Sequence, residues 1–407
     1  MTTWWSHRSS IISFAIDQLV GHEYNTLPRI GLALSGGSYR ALICSLAVVT
    51  ALRDMGWWEA LAYVSSLSGS CWFLAELLVQ DVALDELKSR LKEKLSREIF
   101  SNIQDLYDGL TIINSKKTAG QPSSIIVDLW GGCLNNILFG NIPNNSKLTL
   151  SALEHTVATG KYPFPIFTAV ARFPNEYKWL EFTPTTLRSI DDDLSIPIEY
   201  SNSRWSQGQL VEVLPEPSLG NLMGIFGSAF AINFNDILKH FTSRFLVNTL
   251  KPLLSNLNLS DKSLAEGQLY NPFGPGVLSV VDAGIDFNYP ILPLLDRKLD
   301  IIILCNFASG DPLSNLMPMF EHLASKNYIL PNIDIKATDW SKPQIFTSNL
   351  PFIVYIPNTL HFSTFKLEYS EKDFDNLFDS MYTTTINLKS VLKSLLISTL
   401  EILNTTV

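Results

Sequence analysis

Ser68 lies at the end of an apolar, strand-like run, in the stretch Ser65-Ser66-Leu67-Ser68-Gly69-Ser70, and is followed at once by the helical pattern Cys71-Trp72-Phe73-Leu74-Ala75-Glu76-Leu77-Leu78. A serine held where a strand turns sharply into a helix has a strained backbone and an exposed hydroxyl, and the residues two places to either side must be small. Ser66 and Ser70 meet that demand. The start of the helix adds free N–H groups and a positive dipole end, which stabilise the oxyanion formed when the serine attacks a carbonyl or phosphoryl group. The chemistry on offer is nucleophilic catalysis. Read alone, a Ser-Gly-Ser cluster ahead of an apolar helix is also what N-capping and tight packing produce.

A second strand, turn and helix stand upstream. Ile30-Gly31-Leu32-Ala33-Leu34 reads as a short buried strand, followed by Ser35-Gly36-Gly37-Ser38-Tyr39-Arg40-Ala41 and an apolar helix from Leu42 to about Met55. The two glycines let backbone pass close to a ligand, and the N–H groups of Gly37 and Ser38 are placed to receive a developing negative oxygen. Arg40, in the first helical turn, can hold a phosphate or steady the site. Against this stand an ordinary strand-to-helix turn for the glycines and a solvated surface charge for Arg40. The loop has neither the third glycine of the dinucleotide-binding pattern nor the Gly-Lys-Ser/Thr ending of the nucleoside-triphosphate loop.

The third element is Val277-Leu278-Ser279-Val280-Val281, a strand-like run that breaks at Asp282-Ala283-Gly284-Ile285-Asp286. A carboxylate at a strand end beside glycine suits a catalytic base and equally a helix cap. The next run, Asp300 to Asn306, reads as another strand, which places Asp282 in a parallel-sheet pattern. The six histidines (His7, His22, His155, His240, His322 and His361) sit in no elbow-like context and read as structural or surface residues.

Together these three sites resemble the cytosolic (group IV) phospholipase A2 and phospholipase B (lysophospholipase) catalytic-domain family, relatives of the patatin-like lipases. Further segments are similar to that family in the same order: Ala51-Leu52-Arg53-Asp54-Met55-Gly56, Pro163-Phe164-Pro165-Ile166-Phe167-Thr168, Trp179-Leu180-Glu181-Phe182-Thr183-Pro184, Gly224-Ile225-Phe226-Gly227-Ser228-Ala229-Phe230 and Phe362-Ser363-Thr364-Phe365. The resemblance covers essentially the whole chain. It implies a three-layer α/β/α fold with a central, largely parallel mixed sheet and helical lid or cap insertions, as a single catalytic domain over 1–407 with a lid segment at 232–273. It makes Ser68 the nucleophile and Asp282 its base, in a dyad without histidine, and puts Gly36, Gly37 and Ser38 in the oxyanion hole. Arg40 matches the family arginine thought to contact the substrate phosphate or stabilise the site.

Two positions depart from the family pattern. Ser66 replaces the usual glycine, which adds strain if the elbow needs a positive φ there. Ser38 replaces the third glycine of the oxyanion loop; it keeps its backbone N–H, and its hydroxyl is a further donor. An aspartate with an ordinary pKa near 4 is a feeble base toward a serine hydroxyl, so burial of Asp282 has to raise its proton affinity. The resemblance implies an acyl-enzyme on Ser68 formed from a glycerophospholipid or lysophospholipid ester. A transacylase uses the same intermediate, and a catalytically silent lipid-binding protein is the reading from another class. The retention of Ser68, Arg40 and Asp282 argues against the last.

Composition fits a lipid-handling enzyme. Hydrophobic residues make up 46% of the 407 and aromatics 11%, enough for a large core with apolar surface left to line an acyl channel. No linker, repeat or low-complexity stretch divides the chain. No run of about 18 apolar residues suggests a membrane span, and the start reads as an amphipathic helix rather than a signal peptide. A net charge of −9 argues against nucleic acid and strongly anionic membranes. Peripheral contact with a phospholipid surface would come from apolar groups, with 233–257 as an amphipathic candidate and Trp57 and Trp58 as either membrane contacts or core. Four cysteines without metal-ligand or disulfide spacing read as free thiols of a reducing compartment, so a cytoplasmic or peripheral-membrane location is expected; the triplets at Asn144, Asn258 and Asn404 leave a secreted one open. No metal, no cofactor and no N-terminal calcium-binding domain ahead of the oxyanion loop is expected, and any protein activator is unknown.

Overall fold

The computed structural model describes residues 2–22, 24, 26–97, 103–173, 176–229, 266–285 and 287–405. Its strands in chain order are β1 (Ile30–Leu34), β2 (Leu61–Leu67), β3 (Phe164–Arg172), β4 (Tyr177–Phe182), β5 (Thr186–Ser189), β6 (Leu194–Pro197), β7 (Arg204–Ser206), β8 (Gln209–Glu212), β9 (Gly267–Tyr270), β10 (Val277–Val281), β11 (Ile301–Asn306), β12 (Gln344–Phe346) and β13 (Phe352–Pro357). All but the β7–β8 hairpin join one sheet, whose main path runs β12-β13-β11-β1-β2-β3-β4-β5-β6, with β10 branching onto β3 and β9 pairing β10. The five strands from β13 to β3 are mutually parallel. Buried on both faces, they read as near-continuous apolar runs rather than alternating ones: every residue of β1, β11 and β13 is buried.

Helices cover the sheet, which makes the architecture the expected three-layer α/β/α form with antiparallel edges. Helix α1 (Thr2–Val20) is the expected N-terminal helix. Helix α2 (Ser38–Asp54) is apolar nearly all round and buried along most of its length, packed against helix Glu371–Ile386 and against α3 (Gly69–Gln80). Trp57 and Trp58 are core residues, not membrane contacts. All four cysteines are buried, and no disulfide joins them.

The register around β3 decides how the chemistry is assembled. One edge of β3 pairs with β4 from Phe167 to Arg172. On the other edge, β2 climbs in parallel until Leu67 faces Thr168, while β10 descends antiparallel until Val281 faces Val170. Two strands thus share one edge end to end, and the residue that follows each, Ser68 and Asp282, meets the other beside Ala169. The expected parallel-sheet setting of Asp282 is corrected here: β10 is antiparallel to both its neighbours, β3 and β9. Residues 232–265 of the expected lid, with the whole amphipathic stretch 233–257, lie outside the described residues; 267–270 of that segment form β9.

Arg8 docks α1 on this frame. Its guanidinium is fully buried and donates to the carbonyl oxygens of Trp58 (2.7 Å), Leu61 (2.8 and 3.0 Å), Gly160 (3.2 Å) and Lys161 (3.1 Å). Burial pushes its pKa down to about 10, so it stays charged at neutral pH. A lysine cannot reproduce the planar fork, and each carbonyl left dry and unpaired costs about 1–3 kcal/mol. Arg8→Lys should lower the urea midpoint by the equivalent of about 2 kcal/mol or more, with activity intact below the transition; an unchanged midpoint would contradict the docking role.

Candidate active site

The turn between β2 and α3 carries its strain on Ser68 itself, with φ +54° and ψ −126°. Ser66 takes ordinary strand geometry instead, so serine in place of glycine there costs no backbone strain. Its Oγ donates to the Ile166 carbonyl at 3.0 Å, and Thr168 Oγ1 donates to the Ser66 carbonyl at 2.8 Å, which fixes the end of β2 against β3. Gly69 is needed for close approach: a Cβ there would lie 1.9 Å from the Ser38 carbonyl oxygen. The Ser68 turn and the glycine-rich loop are therefore in backbone contact.

Ser68 Oγ donates to Asp282 Oδ2 at 2.8 Å, and both residues are buried. The other carboxylate oxygen, Oδ1, accepts the Gly284 N–H at 2.9 Å, the Ala229 N–H also bonds the carboxylate, and the Asp282 N–H donates to Ser228 Oγ at 3.0 Å. Burial pushes the Asp282 pKa up to about 7, against the opposing pull of the Gly284, Ser68 and Ala229 hydrogen bonds. This is the proton affinity that the sequence argument required. Among the described residues no histidine hydrogen-bonds to either member of the pair, and no group of three or more His, Cys, Asp or Glu side chains could hold a metal ion.

The loop 35–38 is held from several sides. Ser70 Oγ donates to the Ser35 carbonyl at 2.6 Å and accepts from Ser45 Oγ at 2.8 Å, while Ser35 Oγ accepts the Phe307 N–H at 2.7 Å. Gly37 (φ +146°) precedes α2, so the amides of Gly37 and Ser38 lead into a first helical turn that has no intrahelical acceptors for them. The Gly36 N–H differs from its neighbours, because it donates to Asn288 Oδ1 at 3.0 Å. Arg40 is buried rather than solvated. Its Nε donates to the Phe307 carbonyl, Nη1 to the Phe362 carbonyl and Nη2 to Thr364 Oγ1 at 3.1 Å, and the guanidinium lies beneath Gly37, where an added Cβ would meet Nη2 at 2.6 Å. Desolvation lowers its pKa from the ordinary value.

Ser68, Asp282, Gly36, Gly37, Ser38 and Arg40 thus gather in one place. Sequence reasoning missed Asn288, Ser228 and the Ser35–Ser70–Ser45 chain. Ser228 did lie in a segment already noted, Gly224 to Phe230; Asn288 carried no short-range signal, since its partner is 252 residues away.

A serine at a strained strand-to-helix turn, a facing strand-end carboxylate and a largely parallel sheet between helices define the three-layer fold of the patatin and cytosolic phospholipase A2 type. Human GIVD cytosolic phospholipase A2 superimposes with a TM-score of 0.84 over 98% of this chain and 67% of that one at 17% identity, and its complex with methyl γ-linolenyl fluorophosphonate with 0.76 over 98% and 64%. Residues 30–318 match the model of the lysophospholipase catalytic domain, and the chain belongs to that family. Mouse cytosolic phospholipase A2 gamma is 29% identical over 212 residues, half of this chain and 34% of the relative; human cytosolic phospholipase A2 zeta is 25% identical over 319 residues, 74% and 37% respectively. The chain spans little more than a third of the length of these two relatives.

The raised pKa of Asp282 has a stability consequence. Below about pH 4 the carboxyl is protonated folded or unfolded and costs nothing. Between there and about pH 7 only the unfolded chain releases the proton, so stability falls with rising pH by on the order of 4 kcal/mol, and the loss is constant above. Asp282→Asn should therefore melt higher than wild type at about pH 8, with the gap closing as pH is lowered toward 4. Parallel melting curves across that range would show an ordinary carboxylate.

Proposed function

We propose that this protein is a lipolytic serine hydrolase that cleaves fatty acyl esters of glycerophospholipids or lysophospholipids through an acyl-enzyme on Ser68. The observation that carries the reading is the 2.8 Å hydrogen bond from Ser68 Oγ to a buried carboxylate whose pKa is pushed up to about 7. Ser68 Oγ attacks the ester carbonyl as its proton passes to Asp282; the negative oxygen is received by the amides of Gly37 and Ser38 at the start of α2. Protonated Asp282 then gives its proton to the departing alcohol. Water, activated by the same carboxylate, releases the fatty acid and restores Ser68.

In this mechanism Gly36 shapes the loop and lends no donor, since its N–H is committed to Asn288. Arg40 braces Gly37 with donors that are taken by two carbonyls and a threonine, which favours stabilisation of the loop over direct reading of a substrate phosphate. The substrate class is supported by the family and by the names of the relatives. No described helix is long and apolar enough to cross a membrane, so the lipid surface is met peripherally in this reading.

The test is fatty-acid release from mixed phosphatidylcholine and lysophosphatidylcholine vesicles with a metal chelator present. Wild type should release fatty acid, and folded Ser68→Ala and Asp282→Asn should lose at least about 10³-fold in kcat. Activity persisting in Ser68→Ala would overturn the nucleophile assignment. A wild type that releases little but acylates an added alcohol would be a transacylase, and one that does neither a lipid-binding protein.

A further inference from the structure

Ser38 combines two features that each cost free energy. Its φ is +56°, in the left-handed region that L side chains seldom adopt, and its Oγ is buried without a hydrogen-bond partner among the described residues. The residue is 6% exposed, about as buried as Ser68 at 7%. Glycine would remove both costs at once. The residue touches the reacting groups through its neighbours: its carbonyl rests on Gly69, directly after Ser68, and Gly37 directly precedes it. Strain and an orphaned hydroxyl meet on a loop residue whose backbone lies against the Ser68 turn.

We propose that the Ser38 hydroxyl is a third donor to the oxyanion, beside the amides of Gly37 and Ser38. The inference rests on the reading of Ser68 as nucleophile. During attack the bond from Ser68 Oγ to the carbonyl carbon forms, the serine proton goes to Asp282, and the carbonyl π pair moves onto oxygen. Ser38 donates a hydrogen bond to that oxygen and keeps its proton. Because the hydroxyl has no partner to give up, it meets the developing charge without breaking an existing bond, as a preorganised donor should.

The test compares Ser38→Ala, which loses the hydroxyl and keeps the strain, with Ser38→Gly, which loses both. Lysophosphatidylcholine hydrolysis should show kcat lower by about 10²-fold in both variants with KM within about twofold. The rate of phosphonylation by a fluorophosphonate should fall by a similar factor, while Ser38→Gly melts higher than wild type. Wild-type kcat in folded Ser38→Gly or Ser38→Ala would overturn the proposal, because the hydroxyl would then be a tolerated substitute for glycine. If Ser38→Ala does not fold, the unstrained glycine variant decides alone. An inert wild type would instead remove the hydrolase reading, and this inference with it.

Discussion

A carboxylate withdrawn from water at the end of β10 is the constraint on which the rest of the structure depends. An aspartate at its ordinary pKa cannot take a proton from a serine hydroxyl at a useful rate, and one buried without hydrogen bonds would be too costly to ionise. Asp282 lies between these limits because desolvation is offset by two amides and the Ser68 hydroxyl. The position needed for that balance comes from the sheet: β2 and β10 run toward each other along one edge of β3, so Ser68 and Asp282 are delivered by strand ends. Strand ends are rigid, and a 2.8 Å contact needs no loop to hold it.

The rest of the site is built by backbone close approach and by buried cations. Gly69 lets the Ser68 turn touch the Ser38 carbonyl, and Ser35, Ser70 and Ser45 lock the two turns and α2 together. Arg40 and Arg8 perform a similar task in different places: each is a buried guanidinium that gathers carbonyl oxygens from distant segments. A planar fork with several donors suits this work, since it satisfies groups that would otherwise be dry and unpaired.

Short-range features of this site were legible in the sequence. The apolar runs before Ser35 and Ser68, the small residues at the turns and the apolar helices after them all record local demands, and Ser68, Asp282 and the loop 36–38 fall together as those demands implied. What escaped was set by partners far along the chain. The direction of β10 depends on its pairing with β3, more than a hundred residues earlier, and no local pattern distinguishes a parallel from an antiparallel strand end. For Arg40 the local sequence leaves a role at the site and a solvated surface charge both open, because the groups that bury it, Phe307, Phe362 and Thr364, are 267 to 324 residues away. The strain falls on Ser68, as the strand-to-helix turn implies, and the extra strain that a positive φ would bring to Ser66 is absent because Ser66 stays in the strand.

The most direct test of the account is the rate at which a fluorophosphonate modifies the protein as a function of pH, with the adduct located by peptide mass spectrometry, in wild type and in Asp282→Asn. The account expects one adduct, on Ser68, forming at a rate that rises through a single ionisation near pH 7 in wild type and is slow and independent of pH in Asp282→Asn. An adduct on another residue, or an unchanged pH profile in the asparagine variant, would show that the serine and the carboxylate are neighbours in the fold without being partners in the chemistry.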